Sequence, residues 1–276
     1  MSAPVAVVTG GASGFGRALA DQCAAHGHRL ALLDLDGERA EAEAAAIASA
    51  HGVEAFGRGM DVSRADDVDA AASAVADRYG RADVVVSNVG VQLLGSVERL
   101  TDDEWTWVLD VNVVGSARTA RAFLPILRDT PGARLAFTTS SSVLAPGSRM
   151  AAYQASKFAV WGLAETLQLE LAETDVTVSV IFPSGMVTRH LETSEAAQPA
   201  HVRRSIGEGE DFEAMLASNP GLARDLASPE DAAAAAIEAV LAGERYIVTH
   251  GDLVDAVEQR GGALRAAATR ANGGSS

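Results

Sequence analysis

The sequence predicts a single α/β domain built on a doubly wound, seven-stranded parallel sheet with helices on both faces. Three observations carry that reading. Short runs of apolar and β-branched residues recur seven times along the 276-residue chain, segments with helical spacing separate them, and the first run leads straight into a glycine-rich turn. Strands that are hydrophobic on both faces belong in a sheet covered on both sides, and alternation of strand with helix makes that sheet parallel.

The seven runs are VAVVT (5–9), RLALLD (29–34), VEAFGRGMDV (53–62), DVVVSN (83–88), ARLAFTT (133–139), VTVSVIF (176–182) and RYIVTH (245–250). Between them lie Ala-rich segments such as EAEAAAIASA, composed of good helix formers. No linker divides the chain, and 48% hydrophobic residues suffice for a full core, so residues 1–276 are expected to form one domain. Two stretches depart from the rhythm. Residues 190–228 carry Pro199, Gly207, Gly209, Pro220 and Gly221 among many charges, and an insertion of this length in a compact domain is more often a binding loop. Its Leu191, Ile206, Phe212, Met215 and Leu216 are expected to give a mobile lid an apolar lining, or else to pack a permanent surface hairpin. The tail after about residue 266 is expected to be flexible.

Composition excludes several functions. With 22 basic and 37 acidic residues the formal charge is −15, a field that repels nucleic acid and anionic lipid. No apolar run approaches the ~20 residues of a membrane span, and the start, MSAPVAVVTGG, lacks a basic leader region. The lone Cys23 cannot form an internal disulfide, in agreement with a reducing compartment, and a cytoplasmic protein is expected. The histidines show no H-x-x-x-H pairing, so no catalytic metal is expected. Neither G-x-S-x-G nor G-x-x-x-x-G-K-[ST] occurs, which argues against a serine hydrolase and a nucleotide triphosphatase.

The turn TGGASGFG (9–16) follows the first strand and opens the first helix. Bare backbone there lets the chain approach a pyrophosphate, and the helix N-terminus adds free N–H groups and partial positive charge, as in a Rossmann-like dinucleotide site. Its spacing is T-G-x-x-x-G-x-G. About 20 residues on, the second strand ends at Asp34, where a carboxylate accepts hydrogen bonds from both ribose hydroxyls of an adenosine. A 2′-phosphate at about 4 Å would be repelled by on the order of 4 kcal/mol per unit charge, roughly a thousandfold in favour of NAD over NADP. The alternative is that Asp34 only caps the following helix.

In AAYQASKFAV (151–160), Tyr153 and Lys157 stand four apart and project from one helix face. Alone, the pair is equally a half-buried tyrosine beside a snorkelling lysine. Taken together, TGGASGFG, SNVG (87–90), Asn112 in LDVNVVG, TTSSS (138–142), YQASK (153–157) and PSGMVT (183–188) follow one order and spacing. In these the chain resembles the single-domain branch of the short-chain dehydrogenase/reductase family over about residues 5–250. Three departures stand out: S-N-V-G replaces the usual N-N-A-G, Ser184 follows Pro183 where glycine is usual, and three serines compete for one position.

The resemblance implies an oxidoreductase that moves a hydride between a nicotinamide cofactor and a secondary alcohol or ketone. Tyr153 is then the general base or acid, Lys157 its electrostatic partner and a ribose ligand, and Ser140 the donor to the substrate oxygen, with Ser141 as fallback. Asn112 would hold a water linking Lys157 to solvent, or be a satisfied core amide. Cofactor contacts carry over to Gly10, Ser13, Gly14, Phe15 and Gly16 in the turn, to Asp34, Asp61 and Val62 at strand ends, and to Asn88 and Gly90. Pro183, Val187 and Thr188 would meet the nicotinamide end, although Asp61 could equally be a strand-end cap. Family members usually assemble through the helices carrying the Asn and the Tyr, so a homo-oligomer, most often a tetramer, is expected. The alternatives are an NADP-dependent carbonyl reductase and a non-catalytic dinucleotide-sensing protein of the same fold.

Overall fold

Val5 and Val7 point to one side of the first strand and Ala6 and Val8 to the other, and all four are fully buried. A strand of that kind must lie inside a sheet with helices on both faces. The structure is a computed structural model, and it describes residues 3–273 other than 220, 222 and 223. Strands β1 (Val5–Thr9), β2 (Arg29–Asp34), β3 (Ala55–Gly59), β4 (Val84–Ser87), β5 (Arg134–Thr138), β6 (Thr177–Phe182) and β7 (Tyr246–Val248) form one sheet in the order β3-β2-β1-β4-β5-β6-β7. Every pairing is parallel. The order reverses between β1 and β4, and ligands of open α/β sheets bind outside the strand C-termini at such a point.

The third strand is shorter than the run 53–62. Its partner β2 ends at Asp34, opposite Gly59, so Met60, Asp61 and Val62 have no ladder to join beyond the bond from Met60 N–H to the Asp34 carbonyl. They turn instead over the sheet end. Helices α1 (Gly14–Ala25) and α2 (Gly37–His51) pack one face, and α3 (Ala65–Tyr79) the other. Asp36 caps α2 by accepting from Arg39 N–H (3.0 Å), so Asp34 is not that cap.

Helix α4 (Asp102–Leu109) starts on a capping box between Thr101 and Glu104. It runs through a π-helical turn, Asp110–Val114, into α5 (Gly115–Arg128). Such turns insert one residue into the helix and recur at functional sites, and here the turn carries Asn112. With α6 (Ala151–Glu170), α5 completes the face that α3 begins.

The 190–228 insertion contributes α7 (His190–Ala196) and α8 (Glu210–Ser218); Pro220 lies outside the described residues. It builds a third apolar cluster in which Val202, Ile206 and Met215 are buried against Leu93, Trp107, Val108 and Met150. Buried Glu104 accepts from Arg204 Nε (2.7 Å), and Arg99 and Arg149 pair with Asp211, so ionic ties bind the insertion to the domain. Helix α9 (Pro229–Ala242) returns to the α1 side of the sheet. The expected flexible tail is helical over most of its length: α10 runs from Val254 to Gly273, because AAATRAN holds strong helix formers and no breaker until Gly273. The last three residues lie outside the described part. Among the described residues, no helix is long and apolar enough to cross a membrane, and no group of His, Cys, Asp or Glu is arranged to hold a metal ion.

Candidate active site

A cavity of about 1050 Å³ opens at the C-terminal ends of β1, β4 and β5. Its floor is the glycine turn. Gly10 (φ 67°) and Gly14 (φ 49°) occupy the left-handed region, and a Cβ on Gly16 would lie 2.0 Å from the Gly10 carbonyl oxygen. Strand and helix close to this distance only with glycine there. Ser13 begins α1 in an extended conformation without a side-chain cap bond, and Phe15 is buried in the core beneath.

Asp34 reaches the rim of the same floor. Its Oδ2 accepts from Ala12 N–H (3.0 Å) and its Oδ1 from Asp36 N–H (3.2 Å), which fixes the carboxylate against the glycine turn. Asp61 accepts from Ser63 N–H (2.8 Å) and so does act as a strand-end cap, while it and Val62 also line the cavity. Asn88 is a brace: its N–H donates to Thr9 Oγ1 (2.9 Å), its Nδ2 to the Thr9 carbonyl (3.2 Å), and its Oδ1 accepts from Thr138 Oγ1 (3.1 Å). A Cβ on Gly90 would lie 2.8 Å from Lys157 Nζ. The substitution of Ser87 and Val89 leaves these two contacts intact.

Tyr153 and Lys157 lie one turn apart on α6, both buried and both on the cavity wall. Lys157 is the chain's only lysine. Its Nζ donates to the Thr138 carbonyl (3.0 Å) and stands 5.7 Å from the Tyr153 ring centroid, and burial lowers its pKa to about 8. The Tyr153 phenol moves the other way. Burial raises it above its ordinary value near 10, and only the Ser140 hydroxyl pulls it down. Burial thus favours the neutral phenol in the protein alone, while the Lys157 ammonium is directed at the Thr138 carbonyl.

Ser140 lines the cavity beside the phenol and accepts from Ser142 N–H (3.2 Å). Ser141 is buried away from the cavity, and its N–H donates to the Pro183 carbonyl (2.8 Å). Of the competing serines, Ser140 has the geometry to meet a substrate oxygen. Pro183 and Thr188 face the cavity from the loop after β6.

Asn112 takes the second of its two expected readings, and Val187 departs from its expected place. The Asn112 side chain is fully buried and fully used: Oδ1 accepts from Val91 N–H (2.7 Å), and Nδ2 donates to the Val91 carbonyl (2.9 Å) and to Ser156 Oγ (2.8 Å). With both amide protons committed, its side chain is a satisfied core amide that braces the loop after β4 against α6. Val187 is 70% exposed and lies outside the cavity lining, with its N–H donating to the Ala227 carbonyl (3.2 Å). The bridge between Met186 and Ala227 turns it outward.

A family model described as short chain dehydrogenase matches residues 4–199. The chain belongs to the short-chain dehydrogenase family. It is an oxidoreductase of that family, acting on hydroxyl or keto groups. D-threitol dehydrogenase of Mycolicibacterium smegmatis is 36% identical over 184 residues, which cover 67% of this chain and 70% of that protein. Among solved structures, a short-chain dehydrogenase/reductase from Burkholderia phymatum in complex with NAD is 32% identical with a TM-score of 0.79, covering 90% of this chain and 89% of its own. An alcohol dehydrogenase from the archaeon Thermococcus sibiricus, complexed with 5-hydroxy-NADP, is 27% identical with a TM-score of 0.73, covering 90% and 96%.

The far wall of this dehydrogenase's cavity comes from the insertion. Leu191, Phe212, Met215 and Leu216 line it as expected, whereas Ile206 is buried in the cluster behind them. Sequence reading passes over Gln92, Trp107, Met150 and His190, all of which line the cavity, as does Ser142, the third of the competing serines. His190 lies two residues beyond Thr188, its ring centroid 6.2 Å from that of Tyr153. Burial and the Lys157 charge lower its pKa to about 4, so it is a neutral imidazole. Its position just past PSGMVT is the one signal that could have drawn attention to it.

Proposed function

We propose that this dehydrogenase transfers hydride between NAD and a secondary alcohol or its ketone, and that the substrate carries a hydrophobic or aromatic part. The observation that carries the reading is the convergence of Ser140, Tyr153 and Lys157 on one wall of a cavity whose floor is the glycine turn and Asp34. A dinucleotide fits what is present. The backbone at Gly10, Gly14 and Gly90 is bare, and side chains there would be strained or would collide with Asn88, Val89 or Lys157. Asp34 keeps a carboxylate at the adenosine-ribose end, which favours NAD over NADP.

The cofactor, when bound, supplies the hydride acceptor or donor. In the reducing direction Tyr153 gives its proton to the ketone oxygen, and the neutral phenol that burial favours is the right species for that. In the oxidising direction Tyr153 takes the alcohol proton, helped by the Lys157 ammonium and by the positive charge of an oxidised nicotinamide. Ser140 donates to the substrate oxygen and stabilises charge developing there. The apolar wall of Leu191, Phe212, Met215 and Leu216 receives the rest of the substrate and keeps water out.

Incubation with NAD and a panel of secondary alcohols, followed at the reduced-nicotinamide absorbance, tests this. Growth of the band with at least one alcohol is expected; binding of NAD without turnover of any would leave the dinucleotide-sensing alternative. We also expect a cytoplasmic homotetramer, supported by the exposed Phe158 and Leu169 on α6 and the buried, unpaired Cys23. A monomeric mass by light scattering at micromolar concentration would refute the assembly.

A further inference from the structure

Four buried side-chain polar atoms lack a hydrogen-bond partner among the described residues: Arg134 Nε, Gln168 Oε1, Ser142 Oγ and His190 Nε2. The first two lie at the opposite end of the domain, near the start of β5 and the end of α6. Ser142 and His190 both line the catalytic cavity. Orphaned groups of this kind are rare, and each calls for an explanation. Ser142 is tied beside Ser140 by its N–H and by Gln154, whose Nε2 donates to the Ser142 carbonyl (2.9 Å), yet its hydroxyl is unbonded. His190 stands beside the Tyr153 ring, 6.2 Å between centroids, with the apolar Leu191, Phe212 and Met215 and the polar Thr193 and Ser194 of the insertion lining the same cavity.

A simple secondary alcohol would occupy Ser140 and Tyr153 and leave both orphans as they are. A substrate with a second oxygen on the neighbouring carbon would satisfy them. We propose that His190, with Ser142, binds a second, uncharged oxygen beside the reacting carbon, so that the preferred substrates are vicinal diols and α-hydroxy ketones with an apolar remainder. This rests on the proposed function and sharpens it. The oxygen is uncharged because the imidazole is buried beside the Lys157 ammonium and stays neutral, so it can exchange one hydrogen bond with a hydroxyl or carbonyl but offers a carboxylate no countercharge.

The test compares 1-phenylpropane-1,2-diol with 1-phenylpropan-2-ol, in the unmodified protein and in His190→Phe and His190→Gln, with NAD. The unmodified protein is expected to prefer the diol by at least about tenfold in kcat/KM, Phe to abolish that preference, and Gln, which keeps a hydrogen-bonding group, to restore part of it. Equal kcat/KM for the two alcohols, or a preference that survives in the Phe variant, would overturn the proposal. Fluorescence of the cavity-lining Trp107 gives a second readout, diol affinity for the NAD complex, which should weaken in Phe and recover in Gln. If neither alcohol is oxidised the proposed function fails, and this titration still decides the role of His190: equal affinity in all three proteins rejects it.

Discussion

A Cβ on Gly16 would lie 2.0 Å from the Gly10 carbonyl oxygen, and one on Gly90 would lie 2.8 Å from the Lys157 ammonium; across the cavity, Leu191, Phe212, Met215 and Leu216 give the wall its apolar part. The floor is thus built on backbone geometry that tolerates one residue type at key positions, whereas the wall asks only for apolar bulk backed by a packed cluster. The difference separates two kinds of recognition. A floor of fixed backbone donors suits a constant ligand, and a wall that accepts many hydrophobic residues suits a substrate that varies from one relative to the next.

Asp34 offers the largest effect on the floor. Asp34→Ser removes the carboxylate that repels a 2′-phosphate, so the NAD-to-NADP ratio of kcat/KM is expected to fall by roughly a hundredfold or more, part of the about thousandfold available. Equal kcat/KM of the unmodified protein with both cofactors would remove Asp34 from the floor altogether.

Between floor and wall lies Lys157, whose pKa burial lowers from 10.5 to about 8. From pH 8 to 10.5 the unfolded chain holds a proton that the folded protein has released, so stability rises with pH across that window. The gain is roughly 3 kcal/mol at about 1.36 kcal/mol per unit, and below pH 8 the full penalty applies. Because there is one lysine, selective ε-carbon labelling gives a single resonance to titrate. A midpoint near 8 is expected when folded and near 10.5 in urea; a folded midpoint at 10 or above would place the ammonium in water.

The smallest effect belongs to the wall. Arg204→Met leaves the buried Glu104 without its guanidinium, at a cost on the order of 2 kcal/mol, less than for a fully buried pair because Arg204 is partly exposed. Amide exchange over 198–218 should quicken about thirtyfold while α1 keeps its protection. Unchanged exchange would show that the apolar cluster holds the wall unaided, and fast exchange before any substitution would decide for the mobile lid over the packed hairpin.

The strands were legible almost to the residue, because apolar runs such as VAVVT and RLALLD are bounded by turn residues and coincide with β1 and β2. The third ran too long, since its end is set by the end of β2 and not by its own composition. Within the site, residues that act through backbone shape or helical spacing were readable: Gly10, Gly14, Gly16, Tyr153 and Lys157 all reach the cavity. Asn112 was left with two readings and Val187 was placed at the cavity because their partners, Val91 and Ala227, come from remote loops that no local pattern announces. His190 was invisible for a similar reason. An unpartnered ring nitrogen beside Tyr153 is a property of the packed cavity, not of the segment that carries it.

The central claim is that Tyr153 moves the proton on a floor that binds NAD. Tyr153→Phe keeps the ring and removes the hydroxyl, so turnover of a secondary alcohol under saturating NAD should drop by at least about 100-fold while NAD affinity and melting temperature hold. A Phe variant with near-normal turnover would contradict the account and place the base elsewhere in the cavity.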